Sequence, residues 1–185
     1  YYGGVLMKKI VILSTSLRQN SNSDRLAKEF ARGAIEAGHE VTYIRLLDKN
    51  IHFCIGCLAC QKSGVCVLQD DMTSILAAMK AADSIVFATP IYYYEMSGQM
   101  KTLLDRSNPL FSAEYQFRDI YLLMSAAEEE EDIMERTIQS LGGWIECFDK
   151  TVLKGVVRGV GVTDVNEMKE KEEFLLQAYK LGKQA

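Results

Sequence analysis

The chain has 185 residues, a formal net charge of −4 at pH 7, a pI near 5.3, 48% hydrophobic residues and 25% charged residues. This length and composition suit one globular domain that buries a core without disulfides or metals, and they exclude a disordered chain. The acidic balance argues against a nucleic-acid-binding surface, and no apolar stretch approaches the length of a membrane span. We therefore expect small-molecule partners, no nucleic acid and no membrane.

The first elements predict an α/β domain. Residues 1–7 (YYGGVLM) have no hydrophobic periodicity, so we assign them to an N-terminal extension, either a cloning remnant or part of an upstream start, and place a single domain at residues 8–185. Residues 8–14 (KKIVILS) form a short apolar run typical of a strand buried on both faces. Residues 25–37 have helical spacing, and residues 40–46 (EVTYIRL) predict a second strand.

In the rest of the chain, predicted helices and strands continue to alternate. The pattern predicts a helix from Asp70 or Asp71 to about residue 82, a strand at 84–89 ended by Pro90, a helix at 97–107, a strand at 120–124, a helix opened by the acidic run 128–132, a strand at 151–162 and a helix at 166–181. Five strands that alternate with helices favour a doubly wound parallel sheet of order 2-1-3-4-5 with helices on both faces. Its ligand site is expected at the carboxyl ends of the strands, between the first and third.

The polar loop after the first strand is a candidate phosphate site. Residues 14–23 (STSLRQNSNS) contain five hydroxyl side chains and Arg18, and they lead into a helix N-terminus, where backbone N–H groups and the helix dipole favour an anion. The simpler alternative is a solvated loop in which Ser23 caps the helix. Because the loop lacks the G-x-G-x-x-G pattern of dinucleotide folds, a bound nucleotide would be a mononucleotide.

Three consecutive tyrosines follow the third strand, at Tyr92, Tyr93 and Tyr94. Aromatic side chains usually pack in the core. Three in a row point in different directions, so we expect at least one ring to remain available to a flat ligand.

The sequence resembles the flavodoxin-like NAD(P)H-dependent FMN reductase family. Its phosphate loop is matched by Ser16, Arg18, Asn22 and Ser23, and the family's segment after the third strand is matched by Pro90, Tyr92, Tyr93, Ser97, Lys101, Asp105 and Arg106. The resemblance implies that residues 90–94 enclose the flavin ring and that residues 125–127 form a third flavin loop. The implied FMN-binding residues are Ser14, Ser16, Arg18, Ser21, Asn22, Ser23, Pro90, Ile91, Tyr92, Tyr93, Tyr94, Ser125 and Ala126.

Four of the five cysteines lie close together, at Cys54, Cys57, Cys60 and Cys66. Their C-x2-C-x2-C-x5-C spacing resembles the cysteine runs of ferredoxins and of the iron-sulfur flavoproteins, which implies a 4Fe–4S cluster. Free or redox-active thiols are the alternative, and zinc fits the spacing poorly. The fifth, Cys147, is expected to be a small buried hydrophobic residue.

These features predict an FMN-dependent oxidoreductase that takes electrons from NAD(P)H and passes them to a small acceptor such as a flavin or a quinone, directly or through a 4Fe–4S cluster. No catalytic side chain is required, because the flavin carries the chemistry. The alternative is an iron-sulfur flavoprotein that acts as a non-catalytic electron carrier or redox sensor. No apolar run is long enough for a signal peptide or a membrane span, so we expect a cytoplasmic protein, and the resemblance implies a homodimer or homotetramer.

Overall fold

A computed structural model describes residues 6–185. The strands are β1 (Lys9–Ser14), β2 (Glu40–Arg45), β3 (Ser84–Tyr92), β4 (Glu95–Met96), β5 (Asp119–Ser125) and β6 (Val152–Gly159). The α-helices are α1 (Asn22–Glu36), α2 (Ala59–Ser63), α3 (Met72–Ala81), α4 (Gly98–Arg106), α5 (Glu135–Ile145) and α6 (Glu172–Gln184). Short 3₁₀ turns lie at Leu46–Asp48, Asn108–Ser112, Glu131–Met134 and Glu167–Glu170. Among the described residues, no helix combines the length and apolarity needed to cross a bilayer.

The sheet has the predicted topology. Its order is β2-β1-β3-β5-β6 with every neighbouring pair parallel, and the short β4 pairs antiparallel with the end of β3. Helices cover both faces: the Phe30 ring of α1 lies 5.0 Å from the Tyr121 ring on one side, and the Trp144 ring of α5 lies 5.5 Å from the Phe87 ring on the other. The predicted α/β doubly wound fold is confirmed. The part of the predicted extension that falls at residues 1–5 lies outside the described residues.

Several boundaries differ from those predicted. Helix α1 begins at Asn22, three residues earlier than expected, because the Ser21 hydroxyl and not the Ser23 hydroxyl accepts from a backbone N–H of its first turn. Strand β3 continues through Pro90, whose missing N–H is tolerated near the end of the strand. Strand β6 ends at Gly159, so residues 160–163 are free to reach the ligand edge of the sheet.

Helices α1 and α6 pack unusually closely on one face. An added Cβ at Gly33 would overlap the carbonyl oxygen of Tyr179, and one at Gly182 would overlap the carbonyl oxygen of Phe30. The two glycines therefore let the backbones of α1 and α6 approach each other directly along the second half of α1.

Candidate functional site

A cleft of about 180 Å³ lies at the carboxyl ends of β1, β3 and β5. The residues that line it come from four segments: Ser16, Arg18, Ser21, Asn22, Pro90, Ile91, Tyr92, Ser125, Ala126, Ala127, Val162 and Thr163. The structure thus brings together nine of the residues that the sequence implied for FMN, from all three predicted loops. The cleft lies where the topology reverses, as expected for a doubly wound sheet.

The floor of the cleft is a set of hydrogen-bond donors at the start of α1. Ser21 caps the helix by accepting from the Asp24 N–H at 3.2 Å, which leaves its own proton free to donate. The first N–H groups of a helix have no intrahelical acceptor, so those of Asn22 and Ser23 remain available. Ser16 adds a second hydroxyl, and Arg18 adds a guanidinium that is not ion-paired with any carboxylate in residues 6–185.

The segment after β6 completes the cleft, and the sequence reasoning missed it. Arg18 Nη1 donates to the Thr163 carbonyl oxygen at 2.8 Å. Asn22 Nδ2 donates to the Asp164 carbonyl oxygen at 2.9 Å, and its Oδ1 accepts from the Met168 N–H at 2.9 Å. Asn22 therefore holds this segment against the phosphate loop with its side chain. The sequence contains one signal for this turn, Gly161, because glycine readily adopts a positive φ; its φ is +66°.

A buried carboxylate lies beneath the loop. The Asp24 side chain accepts from Ser14 Oγ at 2.7 Å and Tyr43 Oη at 2.8 Å, and it pairs with Lys28 Nζ at 2.9 Å. Burial alone would raise the pKa of Asp24, but the hydrogen bonds from Lys28, Ser14 and Tyr43 outweigh burial and hold it below its usual value. Since Lys28 balances this charge, the carboxylate adds little repulsion for an anion in the cleft.

Two predicted phosphate residues lie outside the cleft lining. The Ser14 hydroxyl is directed to Asp24. The Ser23 hydroxyl is buried and has no hydrogen-bond partner among residues 6–185. Ser14 therefore orders the end of β1, and Ser23 offers its backbone N–H rather than a placed side chain.

The three tyrosines occupy a tight hairpin turn. Tyr92 lines the cleft, Tyr93 is 100% exposed at the tip, and Tyr94 faces Arg136 on the far side, with the guanidinium 5.9 Å from the ring centroid. Tyr93 and Tyr94 have φ values of +50° and +63°, as a two-residue turn between β3 and β4 requires. Such positions usually hold asparagine or glycine, so two tyrosines there carry backbone strain, which is common at ligand sites.

The cysteines lie in a segment that we define as residues 52–70. Cys54 and Cys57 are exposed, Cys60 is buried and accepts a hydrogen bond from Asn108 Nδ2 at 3.2 Å, and Cys66 is partly buried. Among residues 6–185, no three Cys, His, Asp or Glu side chains come close enough together to hold a metal ion. In this arrangement the four cysteines do not fit a cluster. Cys147 is exposed in the turn that follows α5, so the expectation that it is buried was wrong.

Arg106 holds both ends of the cysteine segment. Its Nη1 donates to the His52 carbonyl oxygen and to Asp70 Oδ2, each at 2.7 Å, and its Nη2 donates to Asp70 Oδ1 at 3.0 Å and to the Leu68 carbonyl oxygen at 3.3 Å. Asp70, and to a smaller extent Cys66, raises the pKa of Arg106. The sequence matched Arg106 to the flavin segment, whereas the structure places it against the cysteines.

The charge of Asp70 is fixed by this contact. Burial would raise the pKa of the Asp70 carboxyl, but hydrogen bonds from Arg106, His52 and the Met72 N–H outweigh burial and hold the pKa well below its usual range. Asp70 therefore stays ionised at neutral pH and keeps the base of the segment closed.

The donor set of the cleft fits a phosphate monoester. It combines two hydroxyls, free helix N–H groups and one guanidinium. Hydrogen bonds from these donors to a charged phosphate are stronger than hydrogen bonds between neutral groups. One carboxylate lies nearby: Glu167 accepts from the N–H groups of Thr163 and Asp164 at 2.6 and 2.9 Å, and those bonds, with a smaller contribution from Arg18, lower its pKa. Residues 90–92 and 125–127 supply the mostly apolar walls that a flavin would need.

Comparison with known proteins agrees with this geometry. The family model of the NADPH-dependent FMN reductases matches residues 8–148. An iron-sulfur flavoprotein of Methanosarcina thermophila is 30% identical over 146 residues, which cover 78% of this chain and 76% of that protein. An iron-sulfur flavoprotein of Methanocaldococcus jannaschii is 40% identical over 102 residues, 55% of this chain and about half (53%) of that protein.

Solved structures show the same fold. An NAD(P)H:quinone oxidoreductase from Methanothermobacter marburgensis superimposes with a TM-score of 0.75 at 20% identity, covering 96% of this chain and 95% of that one. The sheet order, the donor-lined cleft at its switch point and these matches lead to one conclusion. The chain belongs to the flavodoxin-like NADPH-dependent FMN reductase and iron-sulfur flavoprotein family.

Proposed function

We propose that this protein binds FMN in the cleft and uses it to oxidise NAD(P)H and reduce a small acceptor. The observation that carries the proposal is the convergence of Arg18, two serine hydroxyls and the free N–H groups of α1 at the switch point of the sheet. The family match and the curated relatives support it. Bound FMN supplies the two-electron chemistry, so the chain needs no general base.

The residues have distinct parts in this proposal. Arg18, Ser16 and Ser21 would hold the phosphate, and Asn22 would keep the segment that carries Thr163 closed over it. Tyr92 and the backbone of residues 90–91 and 125–127 would orient the ring and exclude water from one side. Asp24, which accepts hydrogen bonds from Ser14 of β1 and Tyr43 of β2, would fix the position of the phosphate loop.

The test compares FMN with riboflavin, which lacks the phosphate. We expect Arg18→Ala to weaken FMN binding by about 10- to 100-fold, the loss of one charge-assisted hydrogen bond, and to leave riboflavin binding unchanged. Arg25→Ala, at an exposed arginine in the first turn of α1, is the matched control and should bind both ligands normally. Equal losses for FMN and riboflavin would remove Arg18 from the phosphate site.

We propose further that Cys54, Cys57, Cys60 and Cys66 bind a 4Fe–4S cluster once the cysteine segment closes around it. The cysteine spacing and the names of the curated relatives support this. Gly56 and Gly64, both at positive φ, give the segment the backbone freedom to rearrange. Cluster binding requires this rearrangement, because no three of these side chains come together among residues 6–185.

Anaerobic purification tests the cluster. We expect about four irons per chain, and we expect Cys57→Ala to lose the iron while FMN stays bound. Cys147→Ala is the matched control and should keep the iron. Protein that stays colourless after anaerobic reconstitution with iron and sulfide would leave the four cysteines as free thiols.

The second candidate is a non-catalytic electron carrier, which the exposure of Cys54 and Cys57 favours because a partner protein could reach them. Steady-state NADPH oxidation separates the candidates: only the enzyme turns over with a small acceptor.

The cytoplasmic location stays a prediction.

We also propose that the chain forms a homodimer or homotetramer. The support is a set of large apolar side chains that are exposed on the cysteine segment and at the tip of the tyrosine turn: Ile55, Leu58, Val65, Val67 and Tyr93. Light scattering tests this, and a strictly monomeric holoprotein would contradict it.

A further inference from the structure

Three buried hydroxyl side chains adjoin the lining of the cleft. Thr15 follows β1 and directly precedes Ser16 of the phosphate loop. Thr89 lies in β3 directly before Pro90, and Ser97 is the N-cap residue of α4. All three residues are completely buried, and their hydroxyl oxygens lie within hydrogen-bond distance of one another through Ser97. We refer to Thr15, Thr89 and Ser97 as the hydroxyl cluster.

Ser97 links α4 to the phosphate loop. The Thr15 hydroxyl donates its single proton to the Ala88 carbonyl oxygen at 2.9 Å. Because that proton is used, the contact of 3.1 Å between the Thr15 and Ser97 hydroxyls is a hydrogen bond that Ser97 donates. Ser97 Oγ in turn accepts from the Met100 N–H at 3.2 Å, which caps the helix.

Ser97 also closes the base of the hairpin that carries the tyrosines. Its N–H donates to Thr89 Oγ1 at 3.1 Å. The Thr89 hydroxyl lies 3.0 Å from the Pro90 carbonyl oxygen and 3.3 Å from Ser97 Oγ, and both accept from it. Residues 90–96, between the two hydroxyls, form the hairpin, and residues 90–92 line the cleft. The hydroxyl cluster therefore fixes both ends of this wall.

The hydroxyl cluster lies where backbone pairing between β1 and β3 stops. The last backbone bond of that pairing runs from the Thr15 N–H to the Ala88 carbonyl oxygen at 2.9 Å. Beyond it, Ser97 connects the phosphate end of the cleft with the hairpin. A buried hydrogen bond holds its partners at one separation, because a displaced donor would be left without an acceptor and away from water. A shift of the phosphate loop is thus transmitted to the hairpin.

We propose that Ser97 is a positioning residue that couples phosphate binding to the placement of the wall beside the flavin ring; the inference rests on the proposed function. When Ser16 and Arg18 close on a phosphate, the hydroxyl cluster sets the position of Pro90 and of the hairpin that follows it. The phosphate of FMN then adds to affinity twice, through its own hydrogen bonds and through the placement of this wall. Riboflavin has no phosphate and gains neither contribution.

Thr89→Val tests the coupling from the hairpin side, with FMN and riboflavin affinities measured by fluorescence titration of the flavin-free protein. The change leaves every residue of the phosphate loop in place. We expect the ratio of FMN affinity to riboflavin affinity to fall about three- to tenfold, the factor that corresponds to one hydrogen bond, because the hairpin no longer follows the loop. Thr89→Ser keeps the hydroxyl and should keep the wild-type ratio.

Thr15→Val tests the coupling from the phosphate side. We expect the same fall in the affinity ratio and a second effect at the ring. The visible absorption of bound FMN should shift toward that of free FMN, because the wall beside the ring is no longer held. Thr15→Ser should restore both the ratio and the spectrum. If either valine variant does not fold, Ser97→Ala takes its place and should show both effects.

The matched control is Ser107→Ala, at the other end of α4. The Ser107 hydroxyl is buried, donates to the Leu104 carbonyl oxygen at 2.7 Å and accepts from Trp144 Nε1 at 2.8 Å. Its loss should lower the free energy of unfolding, while the affinity ratio and the flavin spectrum stay at their wild-type values. A purely structural role for the hydroxyl cluster would make the valine variants behave like this control.

The outcomes separate this inference from the proposed function. A wild-type affinity ratio in Thr89→Val or in Thr15→Val would overturn the coupling and leave the proposed function intact, since the wild-type protein would still bind FMN. A wild-type protein that bound neither FMN nor riboflavin would refute the proposed function itself, and the hydroxyl cluster would then serve only the fold.

Discussion

Arg106→Met is expected to destabilise the protein far more than the same change elsewhere on α4. The side chains of Arg106 and Asp70 are each only 1% exposed, and the guanidinium donates two hydrogen bonds to the carboxylate. Removing one partner of a buried ion pair costs about 3–5 kcal/mol, because the remaining charge stays buried without compensation. A domain of ordinary stability has only about 5–15 kcal/mol in total.

The matched control is Lys101→Met. Lys101 pairs with Asp105 at 2.6 Å one turn before Arg106, but the two side chains are 60% and 47% exposed. An exposed pair of this kind contributes about 0–1 kcal/mol. We therefore expect the two methionine variants to differ by at least about 2 kcal/mol in the free energy of unfolding.

Urea unfolding followed by circular dichroism measures the difference. For a chain of this size, the loss at Arg106 corresponds to a fall in Tm of about 6–20 °C, taking about 2–4 °C per kcal/mol. The rate at which a thiol reagent modifies Cys60 should also rise, because the segment that buries it loses its hydrogen bonds to Arg106. If Arg106→Met does not fold, adding Asp70→Leu should restore folding, because an apolar pair in place of a buried ion pair is often neutral or stabilising. Unfolding free energies of Arg106→Met and Lys101→Met within about 1 kcal/mol of each other would refute the reasoning.

Three further predictions concern stability. Gly182→Ala should lower the free energy of unfolding by about 1–3 kcal/mol or more, because the added Cβ would overlap the backbone of α1. Gly142→Ala in α5, where a Cβ meets nothing within 4 Å, should be neutral or should raise the free energy of unfolding by up to about 1 kcal/mol. Similar free energies of unfolding for the two variants would contradict this. Because folding lowers the pKa values of Asp70 and Asp24, their contribution to the free energy of unfolding is present above about pH 4 and is lost as the pH falls further. The free energy of unfolding of Asp70→Asn should therefore fall less steeply with decreasing pH than that of the wild-type protein. Equal slopes for the two proteins would count against this. Tyr94→Gly should raise Tm by relieving a positive φ, with a gain of about 1 kcal/mol, and an unchanged or lower Tm would show that the turn is not strained.

The fold and the general position of the site could be predicted from the sequence alone. Short apolar runs such as residues 8–14 and 84–89 are typical of strands that are buried on both faces, and their alternation with amphipathic helices leaves few topologies open. The polar loop that carries Ser16 and Arg18 was visible because hydroxyl residues before a helix are a local pattern. The hairpin was only partly visible: three tyrosines marked it, but the positive φ of Tyr93 and Tyr94 depends on the pairing of β3 with β4.

Which distant residues meet depends on the tertiary packing and could not be predicted from the sequence. Asn22 holds residues that lie about 145 positions later in the chain, and Arg106 holds the cysteine segment instead of the flavin side, although its motif resembled part of the flavin segment. Hydrogen bonds over such separations leave no periodic signal, because they depend on the packing of elements that are remote in sequence. The same reason explains a pocket beside the cysteine segment: Leu17, Phe53 and Gly98 come from three separate segments of the chain, and only the tertiary packing brings them around one volume.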